Sequence, residues 1–527
     1  MNLAQLLETQ AKKYPDKSAI IFKNESISFR QLRDSSFCLA NSLSNLGIKI
    51  SDKVVIYLPD CPEYIYSYSA IWSIGATAVP LDFMLTEDEL ISCVSHSEAK
   101  IFIAKSKPNI SLATLKEKCP SLEKIILCQQ NLEGFLCFEE LLAQETNRFS
   151  AVDIPDKDYA CIFYTSGSTG RPKGVLCSYL QLSAPPQAMS YFVNFGEKDI
   201  ALCGALPFSH LGGFVFIQGI VFLGTTVVLM DRFIPLEFLK HIESYKVTCL
   251  WLVPAMFYAI LQLKEFESFD LSSLHWIVSF GAPSSADQLR RFHKHCPQAD
   301  LINGWGMTET QGPSIVLPRG SNKVESIGRP APWIEVKIFS AEGGSLPVRQ
   351  AGASGGDNSD QEVPAGQIGE VAVRSWVVTD GYYKDPEATA VAMRNGWFHT
   401  GDLGKFDAEG DLYIAGRIKE MIKVAGEIVF EPEVEAAIHR HLEVAEVAVI
   451  GVPDKLRGEV PQAFVVLKKG CVLSKEDLQQ FCRQHLAHFK IPHHFEFAAS
   501  LPKNRAGKID KEKLRECTTY AKHEKVH

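Results

Sequence analysis

The hydrophobic and polar positions of this chain alternate between two periods. Short apolar runs at 53–58, 76–80, 200–206, 248–252, 276–280 and 300–303 read as buried strands, separated by helical patterns. Ser28 and Gln31 have capping-box spacing, Leu32, Leu39, Leu43 and Leu46 supply the apolar stripe behind them, and Gly47 is a stop signal. Residues 62–74 read as a second helix. Such alternation implies parallel sheets covered by helices on both faces, an α/β fold. The twenty uncharged residues 211–230 approach the length of a membrane span. Gln218 and four glycines, with a break at Gly224, favour a buried helix, a turn and a strand over 225–230 instead. No transmembrane segment is therefore expected.

After Ile414 the pattern becomes that of a compact α+β unit. A helix begins near Pro432, strands follow at 444–452 and 462–467, and a helix covers 474–486. The boundary is placed at 415–419, giving a large domain, 1–415, and a small one, 416–527. One polar, glycine-rich interruption, 342–365, reads as a surface loop. Within it Gly352-Ala-Ser-Gly-Gly356 matches the hydrolase G-x-S-x-G by chance, because the apolar strand that the elbow requires is missing.

At 527 residues the chain exceeds what one core can organise. A net charge of −8 argues against a nucleic-acid binder. The 14 cysteines show no C-x-x-C pair and read as reduced, mostly buried thiols. The N-terminal residues lack a signal-peptide pattern and Glu524-Lys-Val-His527 is no peroxisomal address, so a cytoplasmic protein is expected, with peripheral membrane attachment left open. His485, His488, His493 and His494 read as a solvated helix end rather than a metal site.

The candidate chemistry begins at Tyr164-Thr-Ser-Gly-Ser-Thr-Gly-Arg-Pro-Lys-Gly-Val175, directly after an apolar strand. Glycines free the backbone to turn its N–H groups inward, while hydroxyls and cations add donors, so the loop suits nucleotide phosphates. It is not a Walker A loop, because Gly174 follows Lys173 where that pattern needs Ser or Thr. Four more segments follow in order: Phe280-Gly-Ala-Pro283, Asn303-Gly-Trp-Gly-Met-Thr-Glu309, Trp397-Phe-His-Thr-Gly-Asp402 with Gly416-Arg417, and Leu501-Pro-Lys-Asn-Arg-Ala-Gly-Lys508.

Over essentially its whole length the chain resembles the adenylate-forming superfamily of acyl-CoA synthetases, nonribosomal adenylation domains and luciferases. The resemblance implies a large N-terminal domain of layered sheets and helices with a small β-barrel-like subdomain, and a small C-terminal domain on a hinge at Lys419. It implies that Thr165, Ser166, Gly167, Ser168, Thr169, Gly170 and Lys173 hold ATP phosphates. Gly281, Ala282 and Pro283 line the adenine and acyl sites. Asn303, Gly304, Trp305, Gly306 and Thr308 belong to the nucleotide motif, with Trp305 on adenine and Thr308 at the α-phosphate. Glu309 is the implied Mg²⁺ ligand; a hard oxygen donor suits that ion. Asp402 and Arg417 are assigned to the ribose or phosphate, and Lys423 and Gly426 to ligand contact, Gly426 on the route pantetheine would take.

Lys508 is the implied catalytic residue: both reactants are anionic, and charge builds up in the transition state. Thr165 and His210 join it as candidate catalytic residues. His210 lies in Pro207-Phe-Ser-His-Leu-Gly-Gly213, which resembles the aromatic/His segment of fatty and aryl acyl-CoA synthetases. The Asp of amino-acid-activating domains is missing where Phe208 and Ser209 stand. With Phe214, Val215 and Phe216 nearby, this favours an uncharged acyl tail. Phe280 replaces a usual small residue, and would shorten the acyl channel or else pack into the core. After Gly426, Gly-Glu-Ile-Val-Phe-Glu-Pro432 departs from the usual Gly-Glu-Asn-Val-Tyr-Pro.

The expected reaction is ATP-dependent activation of a hydrophobic acid, a medium- or long-chain fatty acid first, to acyl-AMP and then to a thioester with coenzyme A. An aryl acid, or delivery to an acyl carrier protein, is the alternative; a luciferase-type monooxygenase and a binding module are readings from other classes. Oligomeric state is open between monomer and homodimer.

Overall fold

The computed structural model describes residues 3–144, 146–150, 152–165, 172–204, 206–281, 286–340, 361–424, 427–454, 456–503 and 509–523. By its internal contacts the chain divides into Met1–Glu335 with Val373–Phe398, and Val336–Ala372 with His399–His527. Position 415 therefore lies inside the second unit, because the strands Trp397–Phe406 and Leu412–Arg417 pair as an antiparallel hairpin across it.

The first unit contains a nine-stranded and a seven-stranded sheet. In the larger, Asp300–Trp305, Trp276–Ser279, Cys249–Leu252, Ile200–Gly204, Thr226–Met230 and Ser18–Phe22 run parallel in that spatial order. In the smaller, Lys124–Leu127, Ile101–Ala104, Lys53–Tyr57, Thr77–Pro80 and Tyr159–Thr165 run parallel, and Lys173–Ser178 returns antiparallel at the edge. Period-2 alternation decides which core each side chain enters. Val54 and Ile56 join the main core, whereas Val55 and Tyr57 join a second one with Leu90, Val94 and Leu115 of the flanking helices. Both faces of this sheet are thus dry, as parallel sheets require.

The helix Phe29–Asn45 starts at Ser28 with both capping-box bonds formed, and Pro62–Ile74 matches its expected span. Every residue of the latter except Glu63 is buried, so it has no polar face to display. Its Trp72 Nε1 donates to Ala160 O at 3.2 Å and its Tyr68 hydroxyl to Phe208 O at 2.9 Å. The uncharged stretch resolves into helix Leu211–Gln218, a π-turn Gly219–Leu223, Gly224 at φ 72° and strand Thr226–Met230. Among the described residues no helix is long and apolar enough to cross a membrane.

A five-stranded sheet includes Gly369–Arg374 and the 397–417 hairpin, and the second unit holds another sheet built on Val444–Asp454 and Gly458–Leu467. Helix Glu431–His439 carries Pro432 in its first turn, where the missing N–H costs nothing. Lys475–His485 is capped by Ser474. Helix Lys511–His523 is fastened to Glu431–His439 by a buried ionic cluster: Lys511 Nζ lies 2.9 Å from Glu431 Oε2 and 2.7 Å from Glu435 Oε1, and Arg515 lies 2.8 Å from Glu431 Oε1. Just before it, Lys503 and Ile509 form an antiparallel bridge, and Asp510 N donates to Pro502 O at 2.8 Å. Removing one partner of such a cluster strands buried charge, so Lys511→Met should lower the urea-unfolding free energy of this unit by about 3–5 kcal/mol. A change below about 1 kcal/mol would show the cluster to be dispensable.

Candidate active site

The site residues of the first unit gather outside the carboxyl ends of its parallel strands, where an open α/β sheet can bind ligands. Tyr159–Thr165 and Lys173–Ser178 pair as a β-hairpin with Thr165 opposite Lys173, so these two residues flank the donor-rich segment in sequence. Ser166, Gly167, Ser168, Thr169 and Gly170 lie outside the described residues, as do Ala282, Pro283, Gly426, Lys508 and the 352–356 match.

Hydrogen bonds stitch two distant segments to this hairpin. Tyr383 N donates to Gly174 O at 2.7 Å, and Thr379 Oγ1 to Leu176 O at 2.6 Å. Thr379 N in turn donates to Glu309 O at 2.8 Å. The 3₁₀ turn Thr308–Thr310 is thereby held beside the hairpin with Glu309 buried. The Tyr382 hydroxyl donates to Glu309 Oε1 at 2.9 Å, and Lys173 Nζ lies 4.9 Å from the centroid of the same ring. Burial and the Glu309 charge hold the Tyr382 phenol well above its ordinary pKa, so it stays a donor. One ring therefore sits between an ammonium and a carboxylate. Neither Tyr382 nor Thr379 was singled out from the sequence, although both lie in a run, Thr379-Asp-Gly-Tyr-Tyr383, with a turn signal at its centre.

Asp300–Trp305 places Trp305 at the strand end, 9% exposed. Gly306 is obligatory, since a Cβ there would stand 1.9 Å from Gly312 O. Gly304 has ordinary space around it. The Asn303 amide is committed to the Val324 and Ser326 carbonyls, so its Nδ2 anchors the 324–326 loop. Gly281 takes φ 82°, which favours glycine.

Phe280 packs its ring against Gly212, where an added Cβ would meet Phe280 Cε2 at 2.7 Å. Phe214, Val215 and Phe216 are all buried: Phe214 packs on Tyr68, Trp72 and Phe163, and Phe216 on Trp251. These side chains are buried core, and an apolar helix between sheets had no other place to put them.

His210 precedes helix Leu211–Gln218, its Nε2 3.2 Å from Asp82 Oδ2. The turn before it is clamped at Phe208, whose N–H donates to Asp60 Oδ1 at 3.0 Å and whose carbonyl accepts from Tyr68. Asp60 and Asp82, each just beyond a strand of the seven-stranded sheet, were not anticipated. An acidic residue after an apolar run carries no motif, and only the strand-end rule points to it.

In the second unit Asp402 and Arg417 face each other across the hairpin, Nε to Oδ1 2.8 Å, with Asp402 buried. Lys419 lies in the turn Ile418–Glu420, exposed, 4.0 Å from Glu512. Lys423, in strand Met421–Val424, is exposed and donates its backbone N–H to Glu459. His493 faces Arg457 and His485 packs on Phe481. All 14 cysteines are free, and only Cys137, Cys471 and Cys517 are not buried.

Residues 7–383 match the AMP-binding enzyme model and residues 433–508 the AMP-binding enzyme C-terminal domain model. The chain belongs to the AMP-binding enzyme family. This AMP-binding enzyme is 31% identical to a long-chain-fatty-acid–CoA ligase of Bacillus subtilis (strain 168), over 99% of the chain and 95% of that protein. It is 31% identical to a feruloyl-CoA synthase of an Amycolatopsis species, over 96% of the chain and 97% of that protein. ATP-bound MatB from Rhodopseudomonas palustris superposes with a TM-score of 0.87 at 28% identity, covering 98% of this chain and 99% of that one. The AMP-binding enzyme is accordingly an AMP-forming acid–CoA ligase that takes ATP and coenzyme A as substrates.

Asp60 gives the site a measurable pH dependence. Burial, opposed by the Phe208 N–H and reinforced by the Asp82 charge, pushes its carboxyl from 3.8 up to about 7. The folded state thus holds this proton more tightly than the unfolded one. The associated stability is complete below pH 3.8 and is lost as pH rises through 7. Asp60→Asn, which keeps an acceptor for Phe208, should gain on the order of 3 kcal/mol relative to wild type between pH 5 and pH 8.5 in urea unfolding. Parallel wild-type and variant curves would contradict this.

Proposed function

We propose that the acid activated by this ligase is hydrophobic, a medium- or long-chain fatty acid, and that the reaction depends on Mg²⁺. The observation that carries the nucleotide assignment is the Lys173–Tyr382–Glu309 arrangement. It puts an ammonium and a buried carboxylate on one ring beside the hairpin that flanks the donor-rich segment.

Lys173, Thr165 and the loop they frame would take the phosphates, Trp305 the adenine and Thr308 the α-phosphate. Glu309 would hold Mg²⁺, for which a buried oxygen donor beside a phosphate loop is fitting; the bound ion would supply charge neutralisation at the phosphates. Asp402 and Arg417 would hold the ribose. A carboxylate oxygen of the acid attacks the α-phosphorus, the bond to pyrophosphate breaks, and acyl-AMP remains. No covalent enzyme nucleophile is required, so positioning and electrostatics carry the barrier reduction. Lys508 would supply the ammonium that the two anionic reactants need. Lys419 would be the hinge residue, and Lys423 and Gly426 would serve the coenzyme A step.

Full-length similarity to a long-chain-fatty-acid–CoA ligase supports the fatty acid. Phe208 in place of an ammonium-binding Asp agrees, being buried and apolar. The similarity to a feruloyl-CoA synthase favours an aryl acid as the second reading. Delivery to a carrier protein rested on the 342–365 insertion, of which 342–360 lie outside the described residues. Free, mostly buried cysteines support a cytoplasmic setting.

Incubation with ATP, Mg²⁺, coenzyme A and acids of graded length should release AMP and pyrophosphate fastest with fatty acids. Faster turnover of ferulate-like acids would move the assignment to aryl acids, and turnover confined to hydrophilic acids would overturn it. Lys508→Ala should cut acyl-AMP formation about 100-fold or more while calorimetric ATP binding is retained. Undiminished adenylation would remove Lys508 from the mechanism.

A further inference from the structure

His210 stands where the carboxyl ends of both sheets of the first unit meet. Asp60 and Asp82 follow strands Lys53–Tyr57 and Thr77–Pro80 of one sheet, and Phe208–His210 and Phe280 follow strands Ile200–Gly204 and Trp276–Ser279 of the other. Gly212, two residues beyond His210, touches Phe280 beside the Gly281 turn. The backbone under the imidazole cannot drift, because Phe208 is held at both its N–H and its carbonyl, and His210 N donates to Pro207 O at 2.9 Å.

The ring has one polar partner among the described residues, Asp82 Oδ2 at Nε2. Asp82 is largely covered, its side chain 13% exposed against 44% for His210. A carboxylate accepts and cannot donate, so in the neutral ring Nε2 carries the hydrogen and Nδ1 keeps its lone pair. The nearby Asp60 carboxyl is pushed up by burial and by the Asp82 charge. A buried acid that fixes one tautomer of a more exposed histidine is how an imidazole is made into a directed base.

We propose that Asp82 is a positioning residue for His210, holding it as the Nε2–H tautomer so that Nδ1 accepts the proton of the coenzyme A thiol. The inference rests on the thioester-forming half of the reaction proposed above. In that half, the sulfur–acyl carbon bond forms as the S–H proton passes to Nδ1. The bond from acyl carbon to the phosphate oxygen breaks, and AMP leaves with the electron pair. The imidazolium then returns its proton to solvent. A hydrogen bond that merely secured the start of helix Leu211–Gln218 would slow both half-reactions or neither.

The two half-reactions are measured separately on the full chain: acid-dependent ATP–pyrophosphate exchange, and single-turnover transfer of enzyme-bound acyl-AMP to coenzyme A. Asp82→Asn keeps the shape but removes the charge, and should slow transfer about tenfold at saturating coenzyme A. Exchange and the KM for coenzyme A should stay within about threefold of wild type. His210→Ala should slow transfer about 100-fold or more, with partial recovery in added imidazole. Equal slowing of both halves in Asp82→Asn, a change confined to KM, or absence of imidazole rescue in His210→Ala would overturn the inference. If Asp82→Asn does not fold, the rescue experiment alone decides. A wild type that forms acyl-AMP but never acylates coenzyme A would instead strike the acceptor assignment. Normal transfer in both variants strikes only the role of this pair.

Discussion

Parallel sheets that are dry on both faces leave a chain few places for charge. Taking an unpaired carboxylate or ammonium into such a core costs far more than a folded protein has to spare. The polar chemistry of the first unit is accordingly found just beyond the strands. Asp60, Asp82, Thr165, Gly281 and Trp305 each end or follow one, at the carboxyl side. The site is a consequence of that constraint before it is a consequence of any motif.

Precision then comes from a few buried polar contacts, each tying together segments far apart in sequence. Phe208 is clamped by Asp60 and Tyr68, which precede it by 148 and 140 residues. Leu176 O accepts from Thr379, 203 residues later. Each contact leaves a buried donor or acceptor unsatisfied if it breaks, so alternative packings are disfavoured. In the second unit the Glu431, Glu435, Lys511 and Arg515 cluster has the same effect through charge: its desolvation cost offsets much of its attraction, but it allows a single docking of the last helix.

Local patterns were legible because their causes are local. The capping box at Ser28, the helix 62–74, the break at Gly224 and the α+β rhythm after 431 all follow from side-chain period, caps and glycine. The family resemblance was equally legible, since its motifs are contiguous. The Asp82–His210 pair was not, because 128 residues separate its members and neither stands in a pattern that names the other. Tyr382 was missed for the same reason. At 214–216 hydrophobicity reports burial and cannot say whether the neighbour is a ligand or another ring.

The most direct test of the strand-end account is a crystal structure with a non-hydrolysable ATP analogue and Mg²⁺. The account predicts the triphosphate at the hairpin tip after Tyr159–Thr165, within reach of Lys173, with the metal on Glu309 and adenine against Trp305. A nucleotide bound at the amino ends of the strands, or anywhere remote from that hairpin, would contradict it.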